Sequence, residues 1–333
     1  MHFDVAMPLT LFAVTVTATF LSGRVEKKLR AVFEEREFKV KDAFLLVAAI
    51  SVAVSVMTLI PQMAIVVIFL LAYSLLLSIF TYIFSDVKRV QAKLFCAGFV
   101  AVCLLAGTVS LFFSVFSDVY FAYGALVLYC LGGFSLIALV YEDGRKHAKE
   151  RWYIAAMPSI LFITLYIFYS KTHVWFPYML NIYGLVFAVL IILYFGSLFS
   201  WKSSLVFAGL LTTADVILVL VTRTMVSAAI HVSSLRLPVL IILPTFPQII
   251  TQQGALFMSL GLGDFFFAGL LATQTHKKFG KNTALLASAT MATSFFAFEA
   301  FILNFRVNAF PGTLMILCGW LPVVLFKFLK GEY

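Results

Sequence analysis

Charge is scarce in this chain. Asp, Glu, Lys and Arg make up 12% of its 333 residues, against about 25% in soluble domains. With 63% hydrophobic residues and a mean hydropathy of +1.05, too little polar surface remains to cover a globular core, which excludes a soluble protein. Cysteine is scarce as well. Cys96, Cys103, Cys130 and Cys318 all lie within apolar runs and none belongs to a C-x-x-C pair, so they read as small packing residues rather than a metal or disulfide framework. His173, His231 and His276 stand near loops and far apart, which argues against a metal site. No Lys or Arg occurs in the first seven residues, so the basic start of a cleaved signal peptide is missing and residues 5–22 read as a first span.

Long apolar runs are what the sequence does have. They predict an all-α polytopic membrane protein of about eleven spans, near 5–22, 43–60, 63–84, 94–116, 119–141, 153–170, 177–199, 203–222, 255–273, 283–303 and 309–329, each about the 20 residues a bilayer needs. The net charge of +9 does not point to nucleic acid, because the basic residues sit in short loops, where they set topology and meet anionic lipid headgroups. With the N-terminus outside, twenty Lys and Arg fall on the inner side and only Lys171, Arg223, Arg236 and Arg306 on the outer side. That bias fits eleven spans, N-out and C-in. The stretch 23–42, with seven basic and five acidic residues, reads as a solvated loop helix or an amphipathic surface helix.

One apolar stretch is too short and too broken to span. In "SLRLPVLIILPTFPQ", residues 234–248, Pro238, Pro244 and Pro247 interrupt the run. Its core, Val239 to Leu243, has a strand's composition, and a strand at membrane depth requires a backbone partner or a cavity to line.

Three of the fifteen acidic residues fall inside spans: Asp215 in "LLTTADVILVLVT", Asp264 in "GLGDFFF" and Glu299 in "SFFAFEAFILN". An isolated carboxylate in such a setting costs several kcal/mol, so intramembrane acids are functional candidates, with a structural hydrogen bond as the plainer role. Asp215 and Asp264 lie about seven and nine residues from the outer ends of sequential antiparallel spans, so both are expected roughly 10–14 Å below the outer surface. Carboxyls facing each other in a poorly solvated site hold one proton between them. The charged member can then take a proton from water while the other donates to a carbonyl oxygen, which is peptide hydrolysis by general acid–base catalysis. Glu299 is about four residues from its helix end and reads as an interfacial acid or a helix–helix hydrogen bond. Gly261 and Gly263, just before Asp264, would let another backbone approach or the helix start loosen.

At this point the residues resemble a known family. "GLGDFFFAGLL" is similar to the GxGD motif of the presenilin and signal peptide peptidase intramembrane aspartyl proteases, and "TTADVILVLVTRTMVSAA" to their preceding catalytic helix. "LRLPVLIILP" stands where the family carries a short strand-like stretch, and "NAFPGTLMI", residues 308–316, stands in the place of its Pro-Ala-Leu motif. The resemblance covers about residues 203–329. It implies that Asp215 and Asp264 are the catalytic aspartates, that Gly261, Leu262 and Gly263 are the motif residues around them, and that Pro311, Gly312 and Thr313 support the site. Leu237, Pro238, Val239 and Leu240, through Leu243, would offer backbone to an extended substrate by strand addition. Two departures bear on rate and preference: Ala214 replaces a tyrosine, and Gly312 and Thr313 replace the Ala and Leu.

The family's core has nine spans, so two extra N-terminal helices are expected. The chain then divides into 1–62 (extra helices and a charged loop), 63–200 (the first part of the core) and 201–333 (the catalytic part). The orientation resembles signal peptide peptidase and is opposite to presenilin. It implies single-span substrates with their N-termini inside, signal peptides included, in a prokaryotic, archaeal-like cell membrane. Water is the nucleophile, so no cofactor and no metal is expected. The same acids would also suit a proton-coupled transporter or channel, or a silent family member that binds transmembrane partners.

Overall fold

The structure, a computed structural model, describes residues 2–32, 38–57, 59–116, 119–144, 151–222, 224–251, 254–305 and 310–331. Twelve α-helices occur among them: α1 (Ala6–Val32), α2 (Val40–Met57), α3 (Gln62–Ile83), α4 (Arg89–Phe116), α5 (Tyr120–Gly144), α6 (Trp152–Tyr169), α7 (Leu180–Leu198), α8 (Trp201–Val216), α9 (Thr224–Ser233), α10 (Leu262–Phe279), α11 (Lys281–Phe305) and α12 (Gly312–Leu329). Among the described residues, ten helical segments are long and apolar enough to cross a membrane, so this is an all-α, multi-pass membrane protein. The loop arginines Arg223 and Arg306, and residues 33–37 of the charged stretch, lie outside the described residues.

The chain forms two compact units, Met1–Ile65 with Pro177–Tyr333, and Val66–Phe176. These divide it elsewhere than at residues 62 and 200. Within the first unit, α1 packs against α7, α10 and α11, and α2 packs against α8 and α9. The first two helices are therefore part of the body that holds both candidate aspartates. The span expected at 5–22 continues to Val32, because Arg24, Glu26, Lys27 and Lys28 are good helix formers while Val25 and Leu29 keep a buried stripe. Glu26 pairs with Lys277 of α10 at 3.0 Å.

The second unit contains α4, α5, α6 and most of α3. A buried ion pair ties its helix ends together. Arg151 Nε donates to Glu142 Oε1 at 3.1 Å and its Nη1 donates to the Val87 carbonyl at 2.6 Å, while the Tyr153 hydroxyl donates to the same Glu142 oxygen at 2.6 Å. Each charge thus has both a counterion and hydrogen bonds, the condition for tolerating it out of water.

The main departure from the sequence reading is at 255–261. The expected span 255–273 starts instead as strand β4 (Phe257–Gly261), antiparallel to β1 (Leu240–Pro244), with Leu240 opposite Gly261 and Pro244 opposite Phe257. Short strands β2 (Ile250–Thr251) and β3 (Gly254–Ala255) lie between them. An apolar run of helix length hid a strand because periodicity does not separate a buried strand from a buried helix. The strand inferred at 239–243 thereby has its backbone partner. Helix α10 begins only at Leu262 and is buried over most of its length. It ends at Gly280, whose φ of 83° suits glycine at a helix C-terminus.

Candidate active site

Each candidate aspartate sits where a helix changes. A capping box starts α8: the Ser200 side chain accepts from the Ser203 N–H, and the Ser203 side chain accepts from the Ser200 N–H. The buried stripe of α8 then runs through Ser203, Ser204, Phe207, Ala208 and Thr212 to Asp215. Immediately afterwards Ile217–Val221 is wound as a π-helix, a local widening frequent at functional positions. Asp264 is not deep within a helix, as the expected span implied, but in the first turn of α10. Gly261, three residues earlier, is the N-cap of that helix, and a Cβ on it would stand 3.4 Å from Asp264 Oδ2.

The start of α12 brings the two acids together. Thr313 donates its hydroxyl to Asp215 Oδ2 at 2.6 Å and its N–H to the same oxygen at 3.3 Å. The residue before it, Gly312, lies against Asp264: a Cβ there would stand 2.6 Å from Oδ1 and 2.8 Å from Cγ. One dipeptide thus touches both carboxyls. Asp215 is 8% exposed and Asp264 is half-buried. The start of α12 supplies both donors to Asp215, and Asp264 stands in the first turn of α10, at the positive end of that helix dipole, where a negative charge is favoured. Below the pair, ring contacts pack α8 to α10: Phe207 and Phe266 lie 5.9 Å apart edge to face.

The other expected residues fall into three groups. Pro311 is the N-cap of α12, and Gly312 and Thr313 are its first two residues. Leu262 is buried under the site. Gly263 is exposed and a Cβ there would meet nothing within 4 Å, whereas at Gly261 it would make ordinary contact with Asp264 Oδ2 at 3.4 Å. The glycine that sterics demand is therefore Gly312, not the two of "GLGD". Leu237 and Pro238 are buried in a turn, Val239 accepts at its carbonyl from the Leu262 N–H at 2.9 Å, and only Leu240 of the four lies in β1.

Strand pairing decides which backbone faces outward. Hydrogen bonds from Leu262 to Val239 and from Thr245 to Leu256 bracket the ladder. In an antiparallel pair with this register, Leu240, Ile242 and Pro244 on β1, and residues 257, 259 and 261 on β4, turn their peptide groups away from the partner strand. On β1 that outer edge is occupied at Ile242: Asn181 of α7 donates to its carbonyl at 2.6 Å and accepts from its N–H at 2.8 Å, and Pro244 has no N–H. Asn181 was missed, although a lone amide inside the apolar run 177–199 was the signal for it.

Glu299 does not reach the pair. It is 1% exposed on α11, and neither carboxyl oxygen has a hydrogen-bond partner. Nearby, Asp4 caps α1 by accepting from Ala6 and Met7 and also accepts from Phe246 at 2.6 Å. Among the described residues no group of three or more His, Cys, Asp or Glu is arranged to hold a metal. No protein-family model matches the chain, and no curated protein matches it.

Proposed function

We propose that this membrane protein is an intramembrane aspartyl protease, with Asp215 and Asp264 as its catalytic pair and water as the nucleophile. The observation that carries the reading is the grip of Gly312 and Thr313 on both carboxyls at once. Thr313 at the start of α12 holds Asp215, and Gly312 beside it lies against Asp264 in the first turn of α10.

The chemistry follows from one shared proton. The charged carboxyl takes a proton from water as its oxygen attacks the scissile carbonyl, while the protonated carboxyl donates to the carbonyl oxygen. The tetrahedral intermediate then collapses: one carboxyl donates its proton to the amide nitrogen, the other takes a proton from a hydroxyl of the gem-diol, the C–N bond breaks, and one proton again remains on the pair. The two act as a unit, so neither is assigned a fixed role.

Substrate presentation falls to β4. Its outward peptide groups at 259 and 261 run straight into Asp264, and Gly263 beside it leaves open space. A peptide added as a strand there is unwound, with its carbonyls held at the level of the pair. A transmembrane helix has to open first, so helix-weakening residues near the cut favour cleavage. The inner-side excess of Lys and Arg supports an N-out, C-in orientation, and with it single-span substrates whose N-termini are inside, including signal peptides.

The test uses purified protein in detergent with a signal-peptide-like single-span substrate, and mass spectrometry of the products. Wild type cuts within the span; Asp215→Asn and Asp264→Asn do not. A folded wild type that leaves several such substrates intact overturns the reading.

A further inference from the structure

The stretch leading into α1 holds two other parts of the first unit. On one side it is seated on α11. His2 donates its N–H to Asn304 Oδ1 at 3.0 Å, Asn304 Nδ2 donates back to the His2 carbonyl at 2.7 Å, and the rings of Phe3 and Phe296 meet edge to face at 6.2 Å. On the other side it meets Phe246, two residues past the end of β1. The Val5 N–H donates to the Phe246 carbonyl at 2.9 Å, and the Phe246 N–H donates to Asp4 Oδ1 at 2.6 Å. Both peptide groups of Phe246 are thereby used, as in a hydrogen-bonded antiparallel pair, with a carboxylate in place of the second carbonyl.

Asp4 does more than start a helix. Its Oδ1 also accepts from the Ala6 N–H at 3.0 Å, and Oδ2 from the Met7 N–H at 3.2 Å, which together cap α1. Its side chain is 0% exposed, a burial that the three convergent donors offset. The shortest of the three bonds goes not to its own helix but to Phe246, 242 residues away.

The place of Phe246 on the hairpin gives that bond a consequence. Thr245 still donates inward to Leu256 at 3.1 Å, so by alternation Phe246 turns its peptide groups outward, as Ile242 does four residues earlier. Ile242 is held by Asn181 and Phe246 by Asp4 and Val5, and Pro244 between them has no N–H. From 242 to 246 the outer edge of β1 is therefore pinned at two points, by α7 and by the start of α1. On the other edge of β1 lies β4, with Phe257 opposite Pro244 and Gly261 opposite Leu240. From Phe257 to Gly261 the strand runs roughly 14 Å, at about 3.4 Å per residue. Asp4 thus acts on the end of the hairpin farthest from Asp264.

We propose that Asp4 is a positioning residue for the substrate: by closing the outer edge of β1 at Phe246 it fixes the far end of the hairpin, so that an extended peptide adds along β4. This rests on the protease reading above. Asp4 touches no reacting atom. Its effect falls on how firmly the peptide is held, and so on KM rather than kcat.

The experiment measures kcat and KM for a cleaved single-span substrate, Tm, and amide exchange across 240–261, in wild type and in Asp4→Ser, Asp4→Asn and Asp4→Ala. Serine still caps a helix but is too short to hold Phe246 as well. Asparagine keeps an oxygen in the place of Oδ1, and alanine loses every contact. Asp4→Ser is expected to raise KM by roughly threefold to tenfold, the scale of one hydrogen bond, with kcat little changed and faster exchange at the 245–257 end. Asp4→Asn restores KM to near the wild-type value, and Asp4→Ala matches serine in KM with a lower Tm. An Asp4→Ser protein with wild-type KM overturns the positioning role and leaves the protease reading intact. So does a Tm that falls in serine and alanine while KM stays put, which marks a stabilising contact alone. A folded wild type that cuts none of several such substrates overturns both.

Discussion

Replacing Gly312 by alanine restores the residue that the resembled family carries at this position, yet the geometry predicts harm. The added Cβ would stand 2.6 Å from Asp264 Oδ1, 2.8 Å from its Cγ and 3.0 Å from Oδ2. Ordinary van der Waals contact begins at 3.4 Å, so the carboxyl has to retreat by about 0.8 Å, the difference between 3.4 and 2.6 Å. The nearest atoms belong to a side chain, so rotation of Asp264 relieves the clash and the fold survives. Losing a glycine at the first position of α12 even reduces unfolded-chain entropy, a gain of about 0.4–1 kcal/mol. Catalysis is where the cost falls. A displacement on the order of 1 Å in a reacting group costs about a hundredfold, so Gly312→Ala is expected to lower kcat by roughly thirty- to a hundredfold, with Tm unchanged or slightly raised. Cleavage assays with thermal melts measure both quantities on one preparation. An alanine variant cleaving at the wild-type rate would refute the argument that Gly312 sets the position of Asp264.

Three further outcomes follow from the same contacts. Thr313→Val removes the 2.6 Å hydroxyl bond to Asp215 and keeps the 3.3 Å N–H bond; the expected loss is about 1–3 kcal/mol of stability with a marked fall in kcat, read by melting and cleavage together. Asn181→Leu frees both peptide groups of Ile242, so amide exchange should accelerate across 240–261 while distant helices keep their protection; unchanged exchange there would show that Asn181 does not fix the hairpin. Glu299→Gln replaces a buried, unpartnered carboxyl with a group that carries no charge, so Tm should rise or hold and cleavage should stay at the wild-type rate; a loss of cleavage would give Glu299 a part in the chemistry.

Membrane class and most of the spans could be read from the chain alone, because a bilayer demands about 20 apolar residues whatever the fold. Intramembrane acids could be read for a related reason: an aspartate among phenylalanines is too costly to be incidental. Local pattern failed where two structures share one composition. Residues 255–261 are as apolar as a span, and only the pairing with Leu240–Pro244 makes them a strand. The same reading puts Asp264 mid-helix, whereas it stands in the first turn of α10, and the facing of the two acids, expected from matching depth, is carried by the start of α12. What occupies the outward peptide groups of Ile242 is Asn181, distant in sequence from both strands. The meeting of Asp215, Asp264, Gly312 and Thr313 spans 98 residues of chain between hydrogen-bonded partners. Sequence determined that two acids had to be hidden from lipid. Tertiary structure decided that they are hidden against one dipeptide, because a buried carboxyl is tolerated only where donors converge, and here the donors to Asp215 are the hydroxyl and N–H of Thr313 at the start of α12.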